Sequence, residues 1–307
     1  MSILEQIKSY YKIADLILEL RTPNVVHAQD LLPNFKEFEV NEVCEPITTQ
    51  VIVEIQHQLD FVKESYELLS DISIVWGDRF RFYKDDNEYV TVVEDPKSGA
   101  IITKMQSTMD FYENKIQLCD KNVLSSKLLS WCCMVAFAQS SLRHKAVLIH
   151  ASTVEEGRNA YAFLGKSGTG KSTHSRLWLE RFKDFNLLND DNPVIRLFDN
   201  GLVKIYGTPW SGKTPCYQNK SRILDGVVRL SQSNVNKFAL IKDKEALIAL
   251  LPSCSAIRWN IDIYSKLVDI LLELINCVRV GYLKCLPNLD AAELCHKNIV
   301  KYEKLYE

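Results

Sequence analysis

Gly165-Lys166-Ser167-Gly168-Thr169-Gly170-Lys171-Ser172 meets every fixed position of G-x-x-x-x-G-K-[ST]. The chemistry open to such a run is the grip of a phosphate chain. Backbone N–H groups must wrap the anion in a tight concave loop, and glycine supplies the necessary dihedrals without a steric cost. A helix that starts at the end of the loop points its partial positive charge at the same anion. Lys171 would then reach the β- and γ-phosphates, and the Ser172 hydroxyl could ligate Mg²⁺. The expected nucleotide-binding stretch is 165–173, so it includes Thr173. Four fixed positions match by accident on the order of once in a hundred chains of this size.

Other residues could act on a phosphate held there. Asp190 and Asp191 lie within the run Leu187-Leu188-Asn189-Asp190-Asp191-Asn192-Pro193, at the end of an expected buried strand. Two adjacent carboxylates can divide labour, one on a metal and one taking a proton from an incoming nucleophile. The same residues would also make a polar turn. His150 follows the apolar run Val147-Leu148-Ile149 on an expected strand, where a lone histidine is more often a packing residue. Lys213 lies on the Gly/Pro-rich stretch 207–214 and could touch phosphate or substrate, or simply be solvated. Arg222 and Arg229 could stabilise transferred negative charge, or sit at strand ends.

The elements needed to position these groups follow from the pattern. The run 160–164 (Ala-Tyr-Ala-Phe-Leu) reads as an apolar strand entering the loop, and the residues after it read as a helix with Leu177 and Leu179 on its apolar face. Strands are expected over 145–155 and 185–191, with a hairpin turning at Asp199-Asn200-Gly201 and further strands at 225–232 and 236–242. From Lys244 onward the chain reads as mainly helical, with a break over 280–294. The segment 123–141 is apolar nearly all round and reads as a buried helix. Ahead of it, short β-rich runs punctuated by Asp, Asn, Gly and Pro suggest a mostly antiparallel meander, with 11–20 as an edge strand. The domain boundary is expected near 120.

Whole-chain properties narrow the class. The chain has 307 residues, 47% hydrophobic and 25% charged, with a formal net charge of −2. That length suits one large domain or two ordinary ones, and that charge gives no overall basic field for nucleic acid. The longest apolar stretch, 268–280, is broken by Asp269, Glu273 and Arg279, so no membrane span is expected. The N-terminal residues lack the uncharged core of a signal peptide, and a cytoplasmic location is expected. The nine cysteines show no metal-ligand spacing and read mostly as reduced packing residues.

The spacing His150, fourteen residues, Gly165, then the loop, a strand and Asp190-Asp191 resembles the catalytic domain of the HPr kinase/phosphorylase family, whose fold is related to phosphoenolpyruvate carboxykinase. The specific resemblance covers roughly 145–215. The stretches 206–214, 227–232 and 282–294 look more like shorter HPr-kinase-like proteins. The N-terminal third is similar to the non-catalytic domain of those relatives, notably over 28–40.

The resemblance implies an α/β (or α+β) P-loop kinase domain at 121–307 with a helical C-terminal part. A smaller β-rich domain at 1–120 would precede it, a candidate for recognising the acceptor. It implies ATP and Mg²⁺ as cofactors and transfer of the γ-phosphoryl group to a hydroxyl of serine type on a protein, peptide or small molecule. Asp190 would be the base, Asp191 with Ser172 would hold Mg²⁺, and His150 would sit near the transferred phosphate. The two aspartates could exchange roles. Thr173 stands where the classical family has Glu, and the signature for phosphorolysis is not recognisable. A kinase is therefore expected rather than a phosphorylase. The alternatives are a nucleotide-binding regulatory module with little turnover, or carboxykinase-like chemistry. Oligomeric state stays open, a homo-oligomer included, and neither nucleic acid nor membrane is an expected partner.

Overall fold

The computed structural model describes residues 6–59, 63, 65–75, 78–95, 97–119, 126–212 and 214–300. It divides into two compact units, Met1–Ser141 and Leu142–Glu307. Among the described residues each is built on a nine-stranded sheet.

In the first unit the strands are β1 (Gln6–Ile13), β2 (Leu16–Pro23), β3 (Glu39–Val40), β4 (Ile47–Gln56), β5 (Glu67–Val75), β6 (Asp78–Lys84), β7 (Glu88–Glu94), β8 (Ile101–Thr108) and β9 (Glu113–Cys119), in spatial order 3-1-2-4-9-8-7-6-5. The meander from β5 to β9 is antiparallel, as its turn residues predict. The centre differs, because β4 runs parallel to both β2 and β9. The expected edge strand over 11–20 is a two-residue hairpin. It closes at Ala14-Asp15, with φ of 53° and 57°, a turn made without glycine. Such positive φ at non-glycine residues is uncommon, and the composition gave no turn signal there.

The described part of the helix expected over 123–141, Ser126–Ser140, packs against β4, β8 and β9. Leu128, Leu129, Cys132, Cys133, Ala136 and Phe137 are buried, and the Trp131 ring lies 4.2 Å from Phe80. This helix therefore belongs to the first unit, and the boundary falls at 141/142 rather than near 120. Its apolar surface covers one face of the sheet. On the other face the alternation places charged residues, and they pair: Arg21 with Glu19, Arg81 with Glu94, Lys115 with Glu54.

The second unit contains β10 (Ala146–Leu148), β11 (Ala151–Glu156), β12 (Asn159–Leu164), β13 (Asn186–Asp191), β14 (Val194–Leu197), β15 (Val203–Tyr206), β16 (Ser221–Gln232), β17 (Lys237–Ile241) and β18 (Arg279–Cys285). The path runs 10-14-15-16-12-11-13, with β18 added beside β16 and β17 beside β18. Among the described residues only β12–β16 and β16–β18 are parallel, so the sheet is mixed. β18 is the break seen in the helical C-terminal part. The helices are α1 (Lys171–Arg181), α2 (Asp243–Leu250), α3 (Ile261–Cys277) and α4 (Leu289–Ile299).

α1 packs on β11–β13 and α4. Its buried face is Lys171, His174, Ser175 and Trp178, one stripe at helical spacing, while Leu177 and Leu179 are only partly buried. Trp178 is fully buried among Phe163, Tyr161 and Phe185. That cluster anchors the helix that begins at the loop. Among the described residues no helix is long and apolar enough to cross a membrane.

Candidate active site

Strand register brings the candidate residues together. Leu164, the last residue of β12, lies opposite Ala151 on β11 and opposite Arg229 on β16. Ala151 in turn lies opposite Asp191, and Ser152 opposite Asp190. One row across four strands thus reads Arg229, Leu164, Ala151, Asp191. Gly165 follows Leu164 and His150 precedes Ala151. The loop, the histidine, both aspartates and one arginine therefore share one sheet edge, although they come from segments up to 79 residues apart.

The loop folds as the motif requires. Gly168 and Gly170 have φ of 79° and 105°, in the left-handed region that favours glycine. A Cβ on Gly165 would come within 2.9 Å of the Thr169 Cβ, because the loop turns back on itself there. Thr169 closes that turn, its N–H and Oγ1 both donating to Lys166 O at 3.1 and 2.7 Å. Gly170 offers no side chain to cap α1, so the first N–H groups of the helix face the loop. Two braces hold the loop to its surroundings. Ser152 Oγ and Ser175 Oγ share a 2.7 Å hydrogen bond between β11 and α1, and Gln232 Nε2 donates to Gly168 O at 3.2 Å.

The charged groups are half-buried or buried. Lys171 donates to Gly165 O at 3.2 Å, and burial pushes its pKa down, opposed by Asp191 and Asp190 and assisted by the Arg229 charge. His150 Nε2 stands 3.5 Å from Asp191 Oδ1. Burial, then the Lys171 charge, lowers the His150 pKa against the pull of the two aspartates. Burial raises the Asp191 pKa, against His150 and Lys171. Every one of these shifts opposes charge separation at an edge that holds several charges in a small space.

The turn at the aspartates is held by its flanking asparagines. Asn192 N–H donates to Asn189 Oδ1 at 3.1 Å, and Thr208 Oγ1 donates to Asn192 O at 2.7 Å. Gly212 N–H donates to Asp190 O at 2.6 Å. A Cβ on Gly212 would lie 3.0 Å from Asp190 O and 3.3 Å from Asp191 Cβ, so the stretch 208–212 sits against the aspartates.

Two weaker candidates fare differently. Arg222 is not at this edge. It ion-pairs with the buried Glu155 at 2.7 Å, seven residues back along β16, roughly 20 Å from Arg229 at about 3.3 Å per residue. It is a strand arginine paired with a carboxylate, and the structure does not bring it to the loop. Lys213 lies outside the described residues. Ser253, Gln232, Thr208 and Asn189 were not singled out in the sequence. The Gly/Pro-rich character of 207–214 hinted at Thr208; nothing local marks Ser253.

Ser172 and Asp191 would supply hard oxygen donors of the kind Mg²⁺ takes. Among the described residues no group of three or more His, Cys, Asp or Glu side chains gathers to hold a metal by itself. A magnesium ion here would thus draw most of its ligands from phosphate and water. No protein-family model matches the chain, and no curated protein does either.

Proposed function

We propose that the chain is an ATP-dependent kinase of the HPr-kinase-like type, transferring the γ-phosphoryl group to a hydroxyl. The observation that carries this reading is the shared row of strand positions: a phosphate loop alone binds, but here it lies beside a histidine and two adjacent carboxylates. A binding module has no need of the aspartate pair.

In this reading the loop amides and Lys171 hold the triphosphate. Ser172 and Asp191 would hold Mg²⁺, which neutralises charge on phosphate oxygens. Asp190, 5% exposed, accepts the proton of the acceptor hydroxyl as its oxygen attacks the γ-phosphorus and the bond to the bridging oxygen of ADP breaks. His150 faces the transferred phosphate. With its pKa lowered it is neutral at pH 7, a hydrogen-bond partner rather than a fixed cation.

The test is release of ADP from Mg·ATP by the full chain, compared with Asp190→Asn. We expect turnover in the wild type, a fall of at least about a hundredfold in the variant, and ATP binding retained in both. ATP bound by both proteins with no release from either would describe a nucleotide-binding module instead.

A further inference from the structure

The turn that follows α2 reaches the loop edge and touches Arg229, a member of the row, and His150, which precedes another. Residues 251–253 form a short 3₁₀ turn ending at Ser253, which is 5% exposed. The Ser253 carbonyl accepts from His150 N–H at 2.7 Å, and Ser255 N–H donates to Leu148 O at 2.9 Å. Ile149 and Cys254 form an antiparallel bridge between them. The backbone on either side of His150 is therefore laced to this turn.

The Ser253 hydroxyl faces a different partner. Arg229 Nη1 donates to Ser253 Oγ at 2.9 Å and, more weakly, to Ala249 O at 3.4 Å. Val228 and Leu230 pack into the cluster around Trp178, so alternation turns Arg229 to the opposite face of the sheet, toward α2. It lies directly across from Leu164, one residue before the loop.

What holds Arg229 matters as much as where it is. Arg21, Arg81 and Arg222, also on strands, each lie against a carboxylate. Among the described residues Arg229 has no carboxylate partner; its two hydrogen bonds go to a hydroxyl and a carbonyl, and both fall on Nη1. Neutral acceptors orient a guanidinium without cancelling its charge. A half-buried, oriented and uncancelled positive charge beside a phosphate loop is suited to a phosphoryl group that gains charge during transfer.

We propose that Arg229 is a catalytic residue that stabilises the charge on the transferring phosphoryl group, and that Ser253 is its positioning residue, setting Arg229 and His150 in one frame. This rests on the kinase reading. The experiment measures phosphate release from Mg·ATP by the full chain, with ATP affinity measured separately by calorimetry. Arg229→Gln keeps a donor for Ser253 but removes the charge, and is expected to lower kcat on the order of a thousandfold while ATP affinity changes only a few-fold. Arg229→Lys should recover part of that loss, and millimolar guanidinium should partly rescue Arg229→Gln. Ser253→Ala, which leaves its carbonyl on His150, should lower kcat about tenfold with KM unchanged, and Ser253→Thr should restore it.

Wild-type kcat in Arg229→Gln would overturn the inference and leave the kinase reading intact, provided that Asp190→Asn is still inactive. So would an unchanged kcat in Ser253→Ala, or an equal loss in Ser253→Ala and Ser253→Thr. A wild type that binds ATP and releases nothing would overturn both.

Discussion

On the face of the first sheet away from its helix, Arg21 lies against Glu19, Arg81 against Glu94 and Lys115 against Glu54. At the loop edge of the second sheet, Lys171, Arg229, His150, Asp190 and Asp191 gather, and among the described residues the closest approach of opposite types between them is the neutral His150 Nε2 to Asp191 Oδ1 at 3.5 Å. Among the described residues the two sheets have the same number of strands, and both regions use charged residues of both signs. In the first, opposite charges cancel locally, which favours the folded state modestly and leaves nothing for a ligand to find. In the second, burial pushes Lys171 down and Asp191 up in pKa, so the folded chain carries an electrostatic cost at this edge. A cost of that kind is retained where a ligand completes the arrangement.

The contrast can be broken most directly at Lys171. Lys171→Met should lower ADP release on the order of a thousandfold while leaving the folded chain at least as stable, since it removes a buried charge that burial disfavours and whose hydrogen bond among the described residues is to one loop carbonyl. A large drop in stability with turnover intact would reverse the assignment of the two sheets. Glu94→Gln is the mirror experiment. Its carboxylate is 8% exposed against Arg81, so removing the charge strands a guanidinium and should cost about 3 kcal/mol, with turnover per folded molecule unchanged. Chemical unfolding followed by the Trp signals and an activity assay on the same sample would check both halves.

The third test asks whether pH sensitivity arises at the edge or in the core behind it. His174 is 3% exposed and accepts from Trp178 Nε1 through its own Nε2 at 3.1 Å, which requires the neutral ring. Burial lowers its pKa to about 4, against 6.5 for a free histidine. Below pH 6.5 the unfolded chain therefore binds a proton that the folded chain refuses. Stability should fall as pH drops from 6.5 to 4, by roughly 3 kcal/mol from this group. His174→Gln, which keeps an acceptor for the indole, should flatten that slope. Parallel stability curves for wild type and variant would assign the sensitivity elsewhere.

What could be read in the chain before its structure was whatever lies close in sequence. The loop, the strand before it and the helix after it are contiguous, and each uses residue types that allow few other conformations. Asp190 and Asp191 were visible as a pair, but their meeting with His150 depends on register across β11–β13, a property of three separated segments. Arg222 and Arg229 looked alike because a strand shows its alternation but not what lies opposite; Glu155 separates the two cases. The 126–140 helix looked like the start of the second unit because its sequence is apolar on all sides and names no partner. The hairpin at Ala14-Asp15 hid because its turn uses neither glycine nor asparagine.

Lys171 does not wait empty-handed. Its ammonium rests on the carbonyl of Gly165, the first residue of the same loop. An arriving phosphate would therefore trade places with a main-chain oxygen rather than meet a vacant cation, and the net gain is the difference between two attractions. The loop in this state is self-latched: it keeps its reach short and its shape closed until a stronger anion releases the catch.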